Sequence, residues 1–345
     1  RSASPRVGFG IRAGKVGPRG GAGGDERGVT GKRRTEPRRR GPDRGTHPRV
    51  ARVNIVLKPL ELLWRGMNRV RRGLYRRGIL KSKRLPRPVI SVGNLAAGGA
   101  GKTPAVITIA RYLGKRGFRV AVLTRGYGRA ANVSGVVTSL DAAKFGDEPV
   151  LLKKKLKNID VIVGSKRYQN AMRFLNSNDC DVFILDDGFQ HIELARDADV
   201  VIDAANGVMR EGRSALADAD VVIQRRLRLA VPEELTGRRV FAFAGLAGNE
   251  QFFASLRTEG LHVVGTKSFR DHHRYTAADV TSIKASAQTA GAEAIVTTEK
   301  DAVKIDDHDI IAIAAEMIID SEILAAIAER ISGKEGDLSS NPPSY

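Results

Sequence analysis

Apolar positions along the chain form one helical stripe followed by two series of short runs. Between Ile55 and Leu80 the residues Leu60, Leu63, Trp64, Met67, Val70, Leu74 and Ile79 recur near helical spacing, with Arg65, Arg69, Arg72, Arg76 and Arg77 between them. That spacing predicts an amphipathic basic helix. Its apolar runs fall short of the roughly 18 residues that a spanning helix needs, so it is suited to lie on a bilayer rather than to cross it. The same pattern also fits a helix packed on its own domain with the arginines in water. A nucleic-acid-binding helix fits less well, because the Leu/Trp/Met face is broad and offers no base-stacking or groove-reading surface.

After Pro86 and Pro88, strands and helices alternate. Strands are predicted at Val89 to Val92, Val120 to Thr124, Ile159 to Val163, Val182 to Leu185, Val200 to Ile202 and Val221 to Ile223, with a helix from Pro104 to Arg116. Short apolar runs of this kind suit parallel strands buried on both faces. A second series begins near Val240. It predicts strands at Val240 to Phe243, His262 to Val264, Ala294 to Thr297 and Ile310 to Ala315, and helices at Glu250 to Thr258, Ala277 to Thr289 and Glu322 to Ile331. This is α/β order. Arg and Pro interrupt the pattern between residues 225 and 240, which suggests a core over residues 86–235 and a smaller α/β domain over residues 236–333, behind the helical segment 51–85.

Composition adds a location for the charge. A length of 345 residues suits two domains at roughly 150 residues each. The net charge of +20 is uneven: residues 1–50 hold 14 Lys and Arg against 4 acids, residues 51–88 hold 12 against 1, and the remainder holds 32 against 33. The first quarter therefore carries the basic character, and a high isoelectric point does not make the rest a nucleic-acid enzyme. Residues 1–50, with 12 Gly and the single aromatic Phe9, bury too little to offset chain entropy and are expected to be a disordered basic tail. They lack the apolar core of a secretory signal and the clear amphipathic pattern of a transit peptide. Residues 334–345 are expected to form a flexible tail. The lone Cys180 cannot close an intramolecular disulfide or supply a Cys-rich zinc site.

The strongest chemical signal is Val89-Ile-Ser-Val-Gly-Asn-Leu-Ala-Ala-Gly-Gly-Ala-Gly-Lys-Thr-Pro104, a strand, a glycine-rich loop and a helix start. A phosphate chain needs unobstructed backbone N–H groups, an ammonium for the terminal phosphates and a hydroxyl on Mg²⁺. Gly98, Gly99, Ala100 and Gly101, then Lys102, Thr103 and Pro104, match those needs, with Ala96 in place of the usual first glycine. The expected fold is thus a P-loop NTPase-type parallel sheet flanked by helices, with a second smaller α/β domain and an N-terminal amphipathic helix. A P-loop also needs a carboxylate at a neighbouring strand end, and Asp186 and Asp187 end the run Val182 to Leu185. An Asp before Gly188 is otherwise a common turn acid.

Two further segments are rich in catalytic residue types: Phe145-Gly-Asp147-Glu148-Pro149 and Asp271-His272-His273. A hydroxyl attacking a γ-phosphate benefits from a carboxylate or imidazole that takes its proton, and Asp147 and His272 are suited to that. A helix start and a surface His pair are the plainer readings. Arg125 and Arg167 follow strands and can bring guanidinium groups to phosphate, or lie in solvated loops. Thr297-Thr-Glu-Lys-Asp301 fits a ligand loop or a helix cap. A P-loop ATPase or GTPase that binds RNA or a protein through the basic N-terminus is compatible with these features.

Taken in order, Arg84-Leu-Pro-Arg-Pro-Val-Ile-Ser-Val-Gly-Asn-Leu, Gly-Gly-Ala-Gly-Lys-Thr-Pro, Arg-Gly-Tyr-Gly-Arg, Gly-Asp-Glu-Pro, Leu-Asp-Asp-Gly-Phe-Gln-His, Asp-His-His-Arg-Tyr and Thr-Thr-Glu-Lys-Asp resemble the tetraacyldisaccharide 4'-kinase family from about Leu57 to Asp301. The resemblance implies ATP- and Mg²⁺-dependent phosphorylation of the 4'-hydroxyl of a tetraacylated glucosamine disaccharide 1-phosphate in lipid A biosynthesis. It further implies an anionic membrane surface as partner, no nucleic acid, and a peripheral or monotopic place at the cytoplasmic face of the inner membrane. By resemblance, Lys102 is the P-loop lysine and Thr103 a Mg²⁺ ligand. Asp186 and Asp187, with Glu148, are metal-side acids whose roles stay undivided. Asp147 pairs with His272, or alternatively His273, in proton handling, and Arg125, Arg167 and His273 are candidates for substrate contact. The stretch Gly207-Val-Met-Arg-Glu-Gly212 departs from the family's usual Gly-Pro-Leu-Arg-Glu by lacking the proline.

Overall fold

The computed structural model describes residues 66–95, 101–130, 133–204 and 212–332. Gly98, Gly99, Ala100, the expected tails at 1–50 and 334–345, the first part of the segment 51–85 and residues 207–211 lie outside them.

The first series of apolar runs forms a seven-stranded sheet. Strands β1 (Val89–Asn94), β2 (Val120–Thr124), β3 (Gly135–Val136), β4 (Asp160–Val163), β5 (Val182–Asp186), β6 (Ala198–Asp203) and β7 (Val221–Gln224) lie in the order β3-β4-β2-β5-β1-β6-β7. All neighbours are parallel except β3, which runs against β4. Alternate side chains go to opposite faces. Ile90, Val92, Val122 and Ile184 join a core with helix α2 (Lys102–Lys115), while Val89, Leu123, Phe183 and Leu185 join one with α5 (Arg167–Leu175). Burial on both faces explains why these strands read as unbroken apolar runs. Helix α5 has no such signature, because its buried stripe is Arg167, Asn170, Ala171 and Phe174.

The second sheet has strands β8 (Leu227–Ala230), β9 (Arg239–Ala244), β10 (His262–Ser268), β11 (Ala294–Thr298) and β12 (Ile310–Met317), in the order β10-β9-β11-β12-β8. Phe252, Phe253 and Leu256 of α6 (Asn249–Thr258) and Ile283 and Ala287 of α7 (Ala277–Thr289) cover it. Two elements cross between the sheets. β8 pairs antiparallel with β12, and α9 (Ser321–Ser332) returns to the first sheet, where Leu324, Ile327 and Ile331 share a core with Ile90, Ile109 and Leu113. Four residues with Arg228 among them are too few for an apolar pattern to betray β8.

Helical residues 66–76, here α1, turn part of their basic side inward. The Arg72 guanidinium is buried, lies 4.5 Å over the Phe189 ring, donates to the Phe189 carbonyl and pairs with Asp218 at 3.3 Å. Arg71 pairs with Glu193 at 2.7 Å, and Arg76 pairs with Asp218. Met67, Val70 and Ile79 are instead 54%, 65% and 64% exposed. A guanidinium can be buried where carboxylate, carbonyl and aromatic partners satisfy it.

Candidate active site

β1 ends at Asn94, and α2 begins at Lys102 behind Gly101, whose φ of 82° is left-handed. A Cβ at Gly101 would lie 2.6 Å from the end of the Met317 side chain, a flexible group able to move aside, so the need for glycine rests on the left-handed backbone. The first turn of α2 carries no acid, which leaves its positive end free for an anion. Lys102 Nζ donates to Asn94 Oδ1 at 3.2 Å and pairs with Asp187 Oδ1 at 3.1 Å, so the ammonium is held between the end of β1 and the acid pair after β5. Thr103 and Pro104 continue the first turn of the helix.

Parallel pairing of β1 with β5 sets Asp186 opposite Val92, beside the strand that feeds the P-loop. Asp186 Oδ2 accepts a bond from Thr124 Oγ1 at 3.0 Å, whereas its Oδ1 is buried without a hydrogen-bond partner. Burial, then the Glu148 and Asp187 carboxylates, push Asp186 up to about 7, against the pull of Lys102. Asp187 has φ 50°, an uncommon conformation for a residue other than glycine that aims the two acids differently. Among the described residues no group of three His, Cys, Asp or Glu side chains is arranged to hold a metal alone. Mg²⁺ is bound through one or two carboxylates together with substrate phosphates. The orphaned Asp186 Oδ1 is an oxygen donor suited to it, with Asp187, Glu148 and the Thr103 hydroxyl as the other donors within this locus.

After the short helix α3 (Ala142–Phe145), Asp147 and Glu148 open α4 (Asp147–Lys155) behind Gly146, where φ is 92° and a Cβ would lie 2.6 Å from the Tyr127 carbonyl. The Arg125-Gly-Tyr-Gly-Arg129 loop thus passes close to the acidic turn, and just beyond it the Ala130 N–H donates to the Lys144 carbonyl at 3.2 Å. Asp147 Oδ2 stands 3.1 Å from His272 Nδ1, across 125 residues of sequence. Lys300 Nζ lies 3.2 Å from His272 Nε2. A lysine ammonium can only donate, so Nε2 accepts and Nδ1 carries the hydrogen that it donates to Asp147. His272 has φ 58°, and its ring stands 4.9 Å from that of Tyr127. Burial alone would raise the Asp147 carboxyl, but the His272 hydrogen bond and the charges of Lys304 and Lys300 hold it below the ordinary carboxylate value.

The other sequence candidates fall around this couple. His273 turns away to Asp279, at 3.2 Å, and stacks on Phe269. Arg167 is buried and donates to the Asp186 carbonyl at 3.1 Å, bracing the end of β5. Arg125 is exposed at the end of β2. Glu148 lies 3.5 Å from Lys300, and its charge acts on Asp186, which ties the acidic turn to the P-loop side. Sequence reasoning singled out neither Lys300 nor Lys304. Lys300 lies in the Thr-Thr-Glu-Lys-Asp segment and Lys304 three residues beyond it, after the short helix α8 (Glu299–Ala302) that follows β11. The buried Asp301 accepts from Gly245 N at 2.9 Å, Thr298 Oγ1 at 2.8 Å and Lys304 Nζ at 2.8 Å.

A parallel sheet with a lysine-bearing glycine loop, a buried carboxylate on the adjacent strand and a carboxylate–imidazole couple opposite define a P-loop kinase-type protein. The family model for tetraacyldisaccharide-1-P 4'-kinase matches residues 53–233 and 224–332. Tetraacyldisaccharide 4'-kinase from Pelobacter propionicus is 39% identical, with 72% of this chain and 82% of that protein covered. The protein of the same name from Anaeromyxobacter sp. (strain K) is 37% identical, covering 80% and 89%. The crystal structure of the "apo" form of LpxK from Aquifex aeolicus in complex with ATP is similar at a TM-score of 0.65 and 28% identity, covering 81% of this chain and 99% of that one. The chain belongs to the tetraacyldisaccharide 4'-kinase family.

Proposed function

We propose that this chain transfers the γ-phosphoryl group of ATP to the 4'-hydroxyl of a tetraacylated disaccharide 1-phosphate, the lipid A-forming phosphorylation. The observation that carries the residue roles is the 3.1 Å contact of Asp147 with His272, on the acidic turn whose Glu148 charge acts on Asp186. The P-loop backbone and Lys102 grip the phosphates, and Lys102 exchanges Asn94 and Asp187 for phosphate oxygens. Mg²⁺, when bound, neutralises charge on the transferring group; Thr103, Asp186, Asp187 and Glu148 are the residues suited to hold it. Asp147 accepts the hydroxyl proton through the oxygen that His272 does not occupy, and the Nδ1–H of His272 binds the other. The body built on the second sheet then carries His272 to the first, and the division expected at 235/236 shifts, with β8 on the smaller side and α9 on the core side. Exposed Arg125 is placed to meet substrate phosphate, and His273 to shape the histidine loop.

Membrane contact at the cytoplasmic face of the inner membrane is part of the same reading. Among the described residues no helix is long and apolar enough to cross a membrane. Met67, Val70 and Ile79 present exposed apolar surface beside the exposed Arg69 and Arg77. Each apolar side chain removed from water contributes about 1.5–3 kcal/mol at most, and each basic residue near anionic lipid about 1 kcal/mol. A few such groups suffice for reversible attachment. Labelled ATP and the disaccharide lipid in mixed micelles test the assignment. Label should appear on the sugar, and a folded enzyme that leaves it unlabelled would overturn the reading. Hydrolysis stimulated by RNA, with no lipid product, would point to the P-loop switch instead.

A further inference from the structure

Lys304 stands where the two sheets meet. Its side chain is 6% exposed, and its Nζ lies 2.8 Å from Asp301 Oδ1 and 3.6 Å from Asp147 Oδ2. Asp301 is fully buried and fixed by the Gly245 N–H and the Thr298 hydroxyl, and the Lys304 ammonium lies 5.2 Å over the Tyr275 ring. An ammonium so enclosed needs a carboxylate partner, and Asp301 supplies it. Its second carboxylate, Asp147, comes from α4, on the side of the first sheet. We propose that Lys304 is a positioning residue for phosphoryl transfer: anchored on Asp301, it restrains Asp147 so that His272 and Lys304 share Oδ2 and the other carboxylate oxygen is left to meet the acceptor hydroxyl.

The geometry gives the reason. A carboxylate held at one oxygen by a single donor can still swing about its terminal torsion, which is broad for Asp. A hydrogen bond from His272 on the loop after β10 and an ion pair from Lys304 after α8, coming from different segments, restrain that rotation. The ammonium at 3.6 Å adds charge attraction beyond hydrogen-bond length, so it acts on the carboxylate's place without claiming a lone pair that the hydroxyl needs.

This inference rests on Asp147 as the proton acceptor, and a double-mutant cycle in the full chain separates the two. Lys304→Met should lower kcat by about 10- to 100-fold, the range expected for misplacing a reacting group, with KM for ATP and for the lipid within about twofold of the parent. Lys304→Arg, which keeps a cationic donor, should retain most of kcat. In the Asp147→Asn background, Lys304→Met should cost less than about twofold more, because a residue that acts through Asp147 has nothing left to position. Equal losses in both backgrounds, or an arginine variant as slow as the methionine one, overturn the positioning role. Parental turnover in Asp147→Asn alone would instead remove the proton-acceptor reading. Should Lys304→Met fail to fold, Lys304→Gln, whose shorter stem ends in a neutral NH2 able to donate to Asp301, carries the same cycle with the same outcomes.

Discussion

The two halves of the site are built on different length scales. At the phosphate half, Lys102 reaches Asn94 across eight residues, and one strand, one loop and one helix supply the lysine, the hydroxyl and the helix end. At the proton half, Asp147 meets His272 across 125 residues, and the contact exists only because α4 abuts the loops of the second sheet. Lys155 and Glu299, 2.7 Å apart, tie α4 to α8 at the same seam. A locally encoded grip is therefore robust to small shifts between the sheets, whereas the couple is a register of that seam. The electrostatics differ in sign as well. Burial and like charge raise Asp186, while His272 and two lysines lower Asp147.

The largest effect expected from breaking one half is at the couple. Asp147→Asn should reduce kcat by about 10²- to 10⁴-fold, the usual worth of a positioned general base, and leave ATP affinity unchanged by equilibrium titration. Next comes the grip: Lys102→Met should lower kcat/KM by about 10²- to 10³-fold, as expected for removing one preorganised charge from the transferring group. Unlike Asp147→Asn, it should also weaken nucleotide binding in the same titration.

Stability should report the opposite electrostatics. Asp186 has a folded value near 7, above its unfolded value, so the folded protein binds more protons there and this group's contribution to stability declines as pH rises from the ordinary carboxylate range through about 7. Melting without nucleotide or Mg²⁺ should find Asp186→Asn gaining on the parent across that interval. Asp147 is lowered in the folded state, so its contribution is present above the ordinary carboxylate range and is lost as pH falls through it. Asp147→Asn should therefore lose ground to the parent between acid and neutral pH. A pair of parallel difference curves would abolish the contrast. The smallest effect belongs to the seam: Lys155→Met should cost up to about 1 kcal/mol in denaturant unfolding, since its pair with Glu299 is only partly buried.

Much of the phosphate half was legible in residue order. The strand at Val120–Thr124 and the helix at Ala277–Thr289 fall where the pattern predicts them, and the P-loop strand and helix differ only at their ends. β10 runs on to Ser268, beyond the predicted His262 to Val264, because Gly265 and the polar residues Thr266, Lys267 and Ser268 break the apolar pattern while the backbone still pairs with β9. The helical stripe before Pro86 was legible as a stripe, but not the direction it faces. Arg72 turns in because Phe189 and Asp218, more than a hundred residues away, satisfy it.

By itself the sequence determined the glycine loop, its lysine and hydroxyl, the acids that end β5 and the alternation of buried strands with helices. Each follows from rules that act within one turn or one strand, where backbone geometry and neighbouring side chains decide the outcome. Only the tertiary structure decided that His272 rather than His273 faces Asp147, that Lys304 joins them, that β8 crosses to the second sheet and that α9 closes over the first. These depend on which surfaces of two sheets come together, and the free energy of that choice is spread over many distant contacts. No short window of residues contains it. The left-handed turn at His272 illustrates the division: it aims adjacent histidines at different partners, which the bare pair His-His does not encode.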